Sequence, residues 1–234
     1  MKKTFIHAGI SAFALCLAVP SYGQRLQAAG VSGSFHVARL HTGQREFQLG
    51  TVAIDPQADQ NNDETGNGVT LFGRWQVGRG GWYAQPELGY VSTLETPVGL
   101  TYSSGSFSYS GRPIRHLDAR LLGGYQSGPL RLFAGPSVGY FMRNSIYRNF
   151  TNAEVQAVAT ALDADLSRVQ VAMQAGAGVS IWRLDVNARY EWGLTRYSNT
   201  VQFQQDSYSF GRTLQQLILE VGFQLYKRPD QPGL

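Results

Sequence analysis

The sequence predicts an all-β fold: an eight-stranded antiparallel transmembrane β-barrel with short turns at one end, long loops at the other and one short helix in the third long loop. Three observations predict it. Eight segments alternate apolar and polar residues with period 2, the mark of strands with two unlike faces. The connections between them switch between tight and long, as in outer-membrane barrels with short periplasmic turns and long outward loops. Aromatic residues recur at two levels on the apolar face. Composition agrees, with 27 Gly, 12 Tyr and 12 Phe and only 15% charged residues, a mixture that suits strands and excludes a disordered chain. The mean hydropathy of −0.21 argues against a bundle of membrane helices, and the single long apolar run stands at the N-terminus.

That run defines the first element. Lys2 and Lys3 precede the apolar stretch Phe5 to Val19, and Pro20-Ser21-Tyr22-Gly23 follows. This is the pattern of a secretory signal peptide over residues 1–23, leaving residues 24–234 as the barrel domain. Its removal takes away Cys16, the only cysteine, so the exported chain has no disulfide, thiol nucleophile or cysteine metal site. It also leaves 18 basic against 16 acidic side chains, with Lys227 the sole lysine. No block of like charge suggests a nucleic-acid face.

The strands follow in order near 31–40, 67–78, 81–94, 113–126, 129–142, 168–181, 184–194 and 216–225. The clearest is 184–194, where Leu184, Val186, Ala188, Tyr190, Trp192 and Leu194 oppose Asp185, Asn187, Arg189, Glu191 and Gly193. Gly78-Arg79-Gly80-Gly81, Gln126-Ser127-Gly128-Pro129 and Trp182-Arg183 read as tight turns. Long loops fall near 41–66, 95–112, 143–167 and 195–212. On the apolar face Trp75, Trp82, Tyr125 and Phe223 lie toward the tight turns, and Tyr90, Tyr140, Tyr190 and Trp192 toward the long loops. The step from Trp82 to Tyr90 covers ~20 Å of depth in a strand tilted by ~40°, matching an apolar band between two aromatic girdles.

Three strands carry a resemblance: Tyr83-Ala84-Gln85-Pro86-Glu87-Leu88-Gly89-Tyr90, Phe133-Ala134-Gly135-Pro136-Ser137-Val138-Gly139-Tyr140 and Val186-Asn187-Ala188-Arg189-Tyr190-Glu191-Trp192-Gly193-Leu194. With these the chain resembles the small outer-membrane barrels of Bacteroidota described as PorT-like or outer membrane protein beta-barrel proteins. The resemblance implies an outer-membrane location and an architecture shared by unrelated tasks, one of them linked to protein secretion.

Eight strands enclose an interior that side chains fill. The inward charges are Arg74, Arg120, Arg131 and Arg189 against Glu87, Asp118, Asp185, Glu191 and Glu220. Nearly balanced charges in a low-dielectric interior must pair, and the arginine fork suits carboxylates. The expectation is a salt-bridged, largely closed lumen rather than a narrow small-solute pore.

No catalytic or metal site stands out and no cofactor is expected. His116 and Asp118 share a face without a nucleophile at any specific spacing, which leaves a lipid-modifying enzyme as the third reading. Asp59-x-Asn61-x-Asp63 has calcium-loop spacing, but Glu64 and Thr70 occupy the positions where an EF-hand needs glycine and glutamate. Val155, Val158, Ala159, Leu162 and Leu166 recur at helical spacing after Asn152, a plausible N-cap. This helix is expected to cover the barrel mouth, the alternatives being to lie on the outer leaflet or to bind a partner. Residues 100–112 and 196–212 still alternate, with Tyr102, Phe107, Tyr109, Val201, Phe203, Tyr208 and Phe210. They predict strands that rise above the membrane as protruding hairpins with open edges. Those aromatics are the candidate surface contacts of a non-enzymatic protein. Its expected partners are outer-membrane lipid and a protein met at the outward loops, and the barrel itself is expected to be a monomer.

Overall fold

A computed structural model describes residues 25–42, 46–55, 64–94, 98–102, 105–109, 113–142, 152–164, 166–204 and 206–228. Eight long strands form the barrel: β1 (Arg25–Thr42), β4 (Glu64–Gln76), β5 (Trp82–Leu94), β8 (Pro113–Ser127), β9 (Leu130–Met142), β10 (Val169–Ile181), β11 (Leu184–Gly193) and β13 (Asp206–Lys227). They pair antiparallel in that order. The β1–β13 ladder, from Ala28↔Lys227 to Thr42↔Arg212, closes the ring. Closure satisfies every strand laterally and leaves the barrel without an edge.

The strands form where alternation called for them, and β1 and β13 run well beyond their alternating segments. β1 begins at Arg25, ahead of any clear alternation, because both neighbours offer it a ladder: Arg25 pairs with Gln76 and Ala28 with Lys227. The tight turns close as expected. Val77 N–H donates to the Trp82 carbonyl at 2.9 Å across the first. Gly78, Gly80 and Gly128 take φ of 68°, 105° and 58°, the left-handed region where a missing Cβ removes the steric cost. Trp182 does the same at 55°, a conformation uncommon for a bulky residue. Its ring is 72% exposed at the turn.

The apolar face points outward. Leu71, Leu132, Val186 and Val221 are each more than half exposed, and similar residues ring the barrel. Such a belt is the surface a lipid bilayer covers, since water-soluble proteins rarely expose so large an apolar area.

Above the barrel the loops hold more structure than the sequence suggested. The first contributes β2 (Phe47–Leu49) and β3 (Val52–Asp55), and the second β6 (Val98–Tyr102) and β7 (Gly105–Tyr109). They join in one sheet, β2-β3-β6-β7. The third loop carries α1 (Ala153–Ala164), and the fourth β12 (Ser198–Phe203) on the extended top of β13. Asn152 Oδ1 accepts from the backbone N–H of Glu154 at 2.9 Å and caps α1, satisfying one of the donors a helix start leaves open. Leu49, Val52, Ile54, Leu100, Val155, Val158, Leu162, Val201 and Phe203 form a single buried cluster. All four outward connections therefore fold into one cap with its own hydrophobic core.

The two expected hairpins form, β6–β7 and β12–β13, but they pack into the shared cap instead of standing apart. β6 is an inner strand of the second sheet, paired to β3 through Ala53↔Thr101, Ile54↔Leu100 and Asp55↔Gly99. Phe203 is buried in the cap core, and Tyr208 stacks on Phe47 at 6.3 Å and packs against that core. Neither is a surface anchor, because burying apolar rings drives the loops together. The side chains of Tyr102, Phe107, Tyr109 and Phe210 lie outside the described part of the structure. So do the 1–23 leader and the Asp59-x-Asn61-x-Asp63 segment.

Candidate functional site

The lumen is the candidate site, and it is built in layers. All nine predicted inward charges are at most 6% exposed, since strand pleating turns their parity inward. At the level nearest the tight turns, Asp185 collects four donors. Arg74 Nη2 donates at 2.9 Å and Arg131 Nη2 lies at 3.1 Å. Ser180 Oγ donates at 2.5 Å and Gln224 Nε2 at 2.9 Å. The Arg74 guanidinium lies over the Tyr83 ring, 5.3 Å from its centroid, and Tyr83, Leu122 and Phe133 form a small apolar floor.

The next level centres on Glu87. Arg189 Nη1 donates to its Oε2 at 2.8 Å, Arg120 Nη1 to the same oxygen at 3.3 Å, and Gln85 Nε2 to Oε1 at 2.7 Å. Arg189 also bonds Glu220. Arg131 Nη2 donates to Asn187 Oδ1 at 2.8 Å, and Asn187 Nδ2 to Glu220 at 3.4 Å, linking the two levels. Arg120 Nη2 continues upward to Asp118 at 2.8 Å, and Asp118 meets His116 Nε2 at 3.3 Å. The network thus runs without a break from Arg74 to His116. Each carboxylate meets a guanidinium or a set of neutral donors, as burial demands.

Two features of this network were not read from the sequence. Glu191 is held by neutral groups, Ser137 Oγ at 3.0 Å, Gln216 Nε2 at 2.5 Å and Gln174, rather than by an arginine. Buried amides, Gln85, Gln174, Asn187, Gln216 and Gln224, act as relays between charges. Their inward parity was visible, but counting charges alone left them out. Glycines supply the room: a Cβ on Gly124 would stand 2.4 Å from the Tyr83 ring, and one on Gly139 3.0 Å from Asp118 Oδ1.

Above the charges the lumen turns apolar. Ser34 Oγ lies 2.8 Å from His36 Nε2, and His36 Nδ1 lies 3.0 Å from Gln216 Oε1. The third partner of this Ser–His pair is a neutral amide, where a hydrolytic triad places a carboxylate. Ala38, Leu40, Ile114, Phe141, Leu166, Tyr197 and Leu214 close over it. Arg212, which the sequence reading did not single out, is buried here against Tyr197, 5.4 Å from its ring centroid.

The outward aromatics sit at the two expected levels. Trp82 and Tyr125 are paired neighbours in edge-to-face contact at 5.2 Å. Phe223 is exposed at the same end, with Trp75 half-buried beside them. Toward the loops, Tyr90, Tyr140 and Trp192 are exposed, and Tyr190 meets Trp192 edge-on at 4.8 Å. Trp182 and Tyr226, exposed at the turn end, join the lower level.

Comparison with known proteins bears on the whole architecture. Among solved structures, Ail, the attachment invasion locus protein of Yersinia pestis, crystallised with the heparin analogue sucrose octasulfate, is similar over 85% of this chain and 99% of its own. The identity is 11% and the TM-score 0.42. The translocator domain of the autotransporter NalP from Neisseria meningitidis is similar over 96% of this chain and 98% of its own, at 13% identity and a TM-score of 0.29. No curated protein matches. A family model described as "Outer membrane protein beta-barrel domain" matches residues 24–199. With its closed eight-stranded barrel and outward apolar belt, the chain belongs to the family of outer membrane protein beta-barrel domains.

Proposed function

We propose that this chain is a non-enzymatic surface protein of the outer membrane, of the Bacteroidota PorT-like type. In this reading its closed lumen serves as a rigid support for an extracellular cap that binds a protein partner. The observation that carries the reading is the shared core of the cap. The charge network already blocks the middle of the barrel, so sealing needs no further structure above it. Ordering four loops into one body is entropically costly, and the return is a surface of fixed shape. The strands left at the margins of the cap sheet, β2 and β7, suit backbone pairing with a partner strand. The two aromatic levels hold the barrel at a set depth in the lipid.

Three measurements test it. In planar bilayers the purified protein should carry no steady current, and should stay silent when Val201→Asp disrupts the cap. Steady conductance of the native chain would replace this reading with that of a small-solute pore. A photo-crosslinker at the exposed Gln202 on whole cells should give a discrete adduct that Val201→Asp abolishes; its absence would remove the partner. Unaltered outer-membrane lipid after expression is the outcome expected of a chain without lipid-modifying activity.

A further inference from the structure

The end of the lumen below the charge network is a cavity of about 590 Å³, within the range of small-ligand sites. It opens among the short turns, on the side opposite the cap, and therefore toward the periplasm. Its wall carries four cations, Arg25, Arg74, Lys227 and Arg228, and four glutamines, Gln27, Gln76, Gln126 and Gln224. Among the described residues it carries no carboxylate. Asp185, one layer inward, is taken up by Arg74, Arg131, Ser180 and Gln224. Among the described residues, Arg25, Lys227 and Arg228 line the cavity with no negative charge in its wall. Lys227 Nζ gives one hydrogen to the Trp182 carbonyl at 3.1 Å and keeps two more.

The amides add a second observation. Gln224 is 2% exposed. Its Oε1 and that of Gln27 are buried acceptors with no protein donor, while the Gln224 amide nitrogen is engaged with Asp185. Buried acceptors call for an N–H or O–H donor. A bare phosphate ester has none, whereas a peptide supplies one at each residue together with its carboxylates.

We infer that this basic vestibule binds a short carboxylate-bearing peptide on the periplasmic side, with Arg25, Lys227 and Arg228 on the carboxylates and the Gln27 and Gln224 oxygens on backbone N–H groups. Two periplasmic sources share this chemistry, cell-wall stem peptides and acidic protein tails. The site is independent of the cap and stands or falls apart from it.

The test is calorimetric titration of the full chain, folded in detergent, with triglutamate, with triglutamine as the uncharged control, and with a disaccharide stem peptide released from cell wall. Triglutamate should bind, triglutamine should bind at least tenfold more weakly, and affinity should fall as salt rises. Arg228→Gln and Arg25→Gln, both outside the charge network, should each weaken triglutamate at least tenfold while the far-ultraviolet circular dichroism of the folded barrel stays unchanged. Should either variant fail to fold, Lys227→Gln and the salt series on the native chain carry the same test. Tighter binding of the stem peptide than of triglutamate would assign the site to the cell wall, and the reverse order to a protein tail. No binding of either anion, or equal affinity for triglutamate and triglutamine, would overturn the inference.

Discussion

The barrel and the cap bury opposite things. In the barrel the interior holds arginines, carboxylates and amides, and the exterior is leucine, valine and aromatic. In the cap the interior is Leu49, Ile54, Leu100, Val158 and Val201, in the ordinary order for a protein in water. One chain makes both because each part turns its apolar face to whatever excludes water: lipid in one case, other loops in the other. The two parts should therefore fail differently. Removing one partner of a buried ion pair strands the other, whereas trimming an apolar cluster leaves a gap whose cost is set by transfer and packing.

The contrast is sharpest at Glu87, which meets both Arg120 and Arg189. Glu87→Ala leaves two buried guanidinium groups short of a carboxylate and should destabilise the barrel by about 3–5 kcal/mol. Unfolding in urea from lipid vesicles, followed by tryptophan fluorescence, measures this. An unchanged midpoint would mean that the lumen charges are solvated rather than paired. Leu100→Ala should act on the cap alone, by about 3 kcal/mol of local opening. Hydrogen exchange should quicken in β2, β3, β6 and α1 while β9 to β11 keep their protection. Uniform acceleration would show the two parts to be one cooperative unit.

The smallest effect concerns the clasp between the first loop and the helix. Thr51 Oγ1 donates to Glu154 Oε2 at 2.5 Å and Thr51 N–H to Oε1 at 2.8 Å. These bonds hold the Glu154 carboxyl below the usual carboxylate range. A carboxyl depressed in the folded state contributes stability above its ordinary pKa of about 4.3, and loses it as pH falls through the lower folded value. The Thr51 amide resonance should therefore titrate with a midpoint below about 4.3, and Glu154→Gln should abolish the titration. The barrel resonances should not follow it. A midpoint at or above the ordinary value would break the clasp.

The same contrast explains what the sequence made legible. Alternation revealed the barrel because each strand is long and faces lipid on one side, so Leu184 to Leu194 reads almost without exception. It gave the inward parity of the nine charges for the same reason. The cap was hidden because β2 and β3 are three and four residues long, too short for any period, and because its core joins residues as distant as Leu49 and Val201. Helical spacing did show α1 and the face it buries. Which loop would pack on which lay in tertiary contacts alone, and so the aromatics of the fourth loop were read as exposed. Within the lumen, pairing by charge was foreseeable, but the neutral cage around Glu191 depended on register between strands.

β13 belongs to both parts. Over its 22 residues, roughly 70 Å at ~3.3 Å per residue, it pairs with β1 and β11 in the barrel and with β12 in the cap. Its ladder hydrogen bonds run perpendicular to the strand. A pull on the cap along the membrane normal is carried down this shaft and meets the β1 and β11 ladders largely in shear, with many bonds resisting together instead of parting one after another. A load on the cap is thus carried by the longest strand among the described residues, and the chain should yield first in the cap, where β12 holds β13 by a short register, before the wall of the barrel gives way.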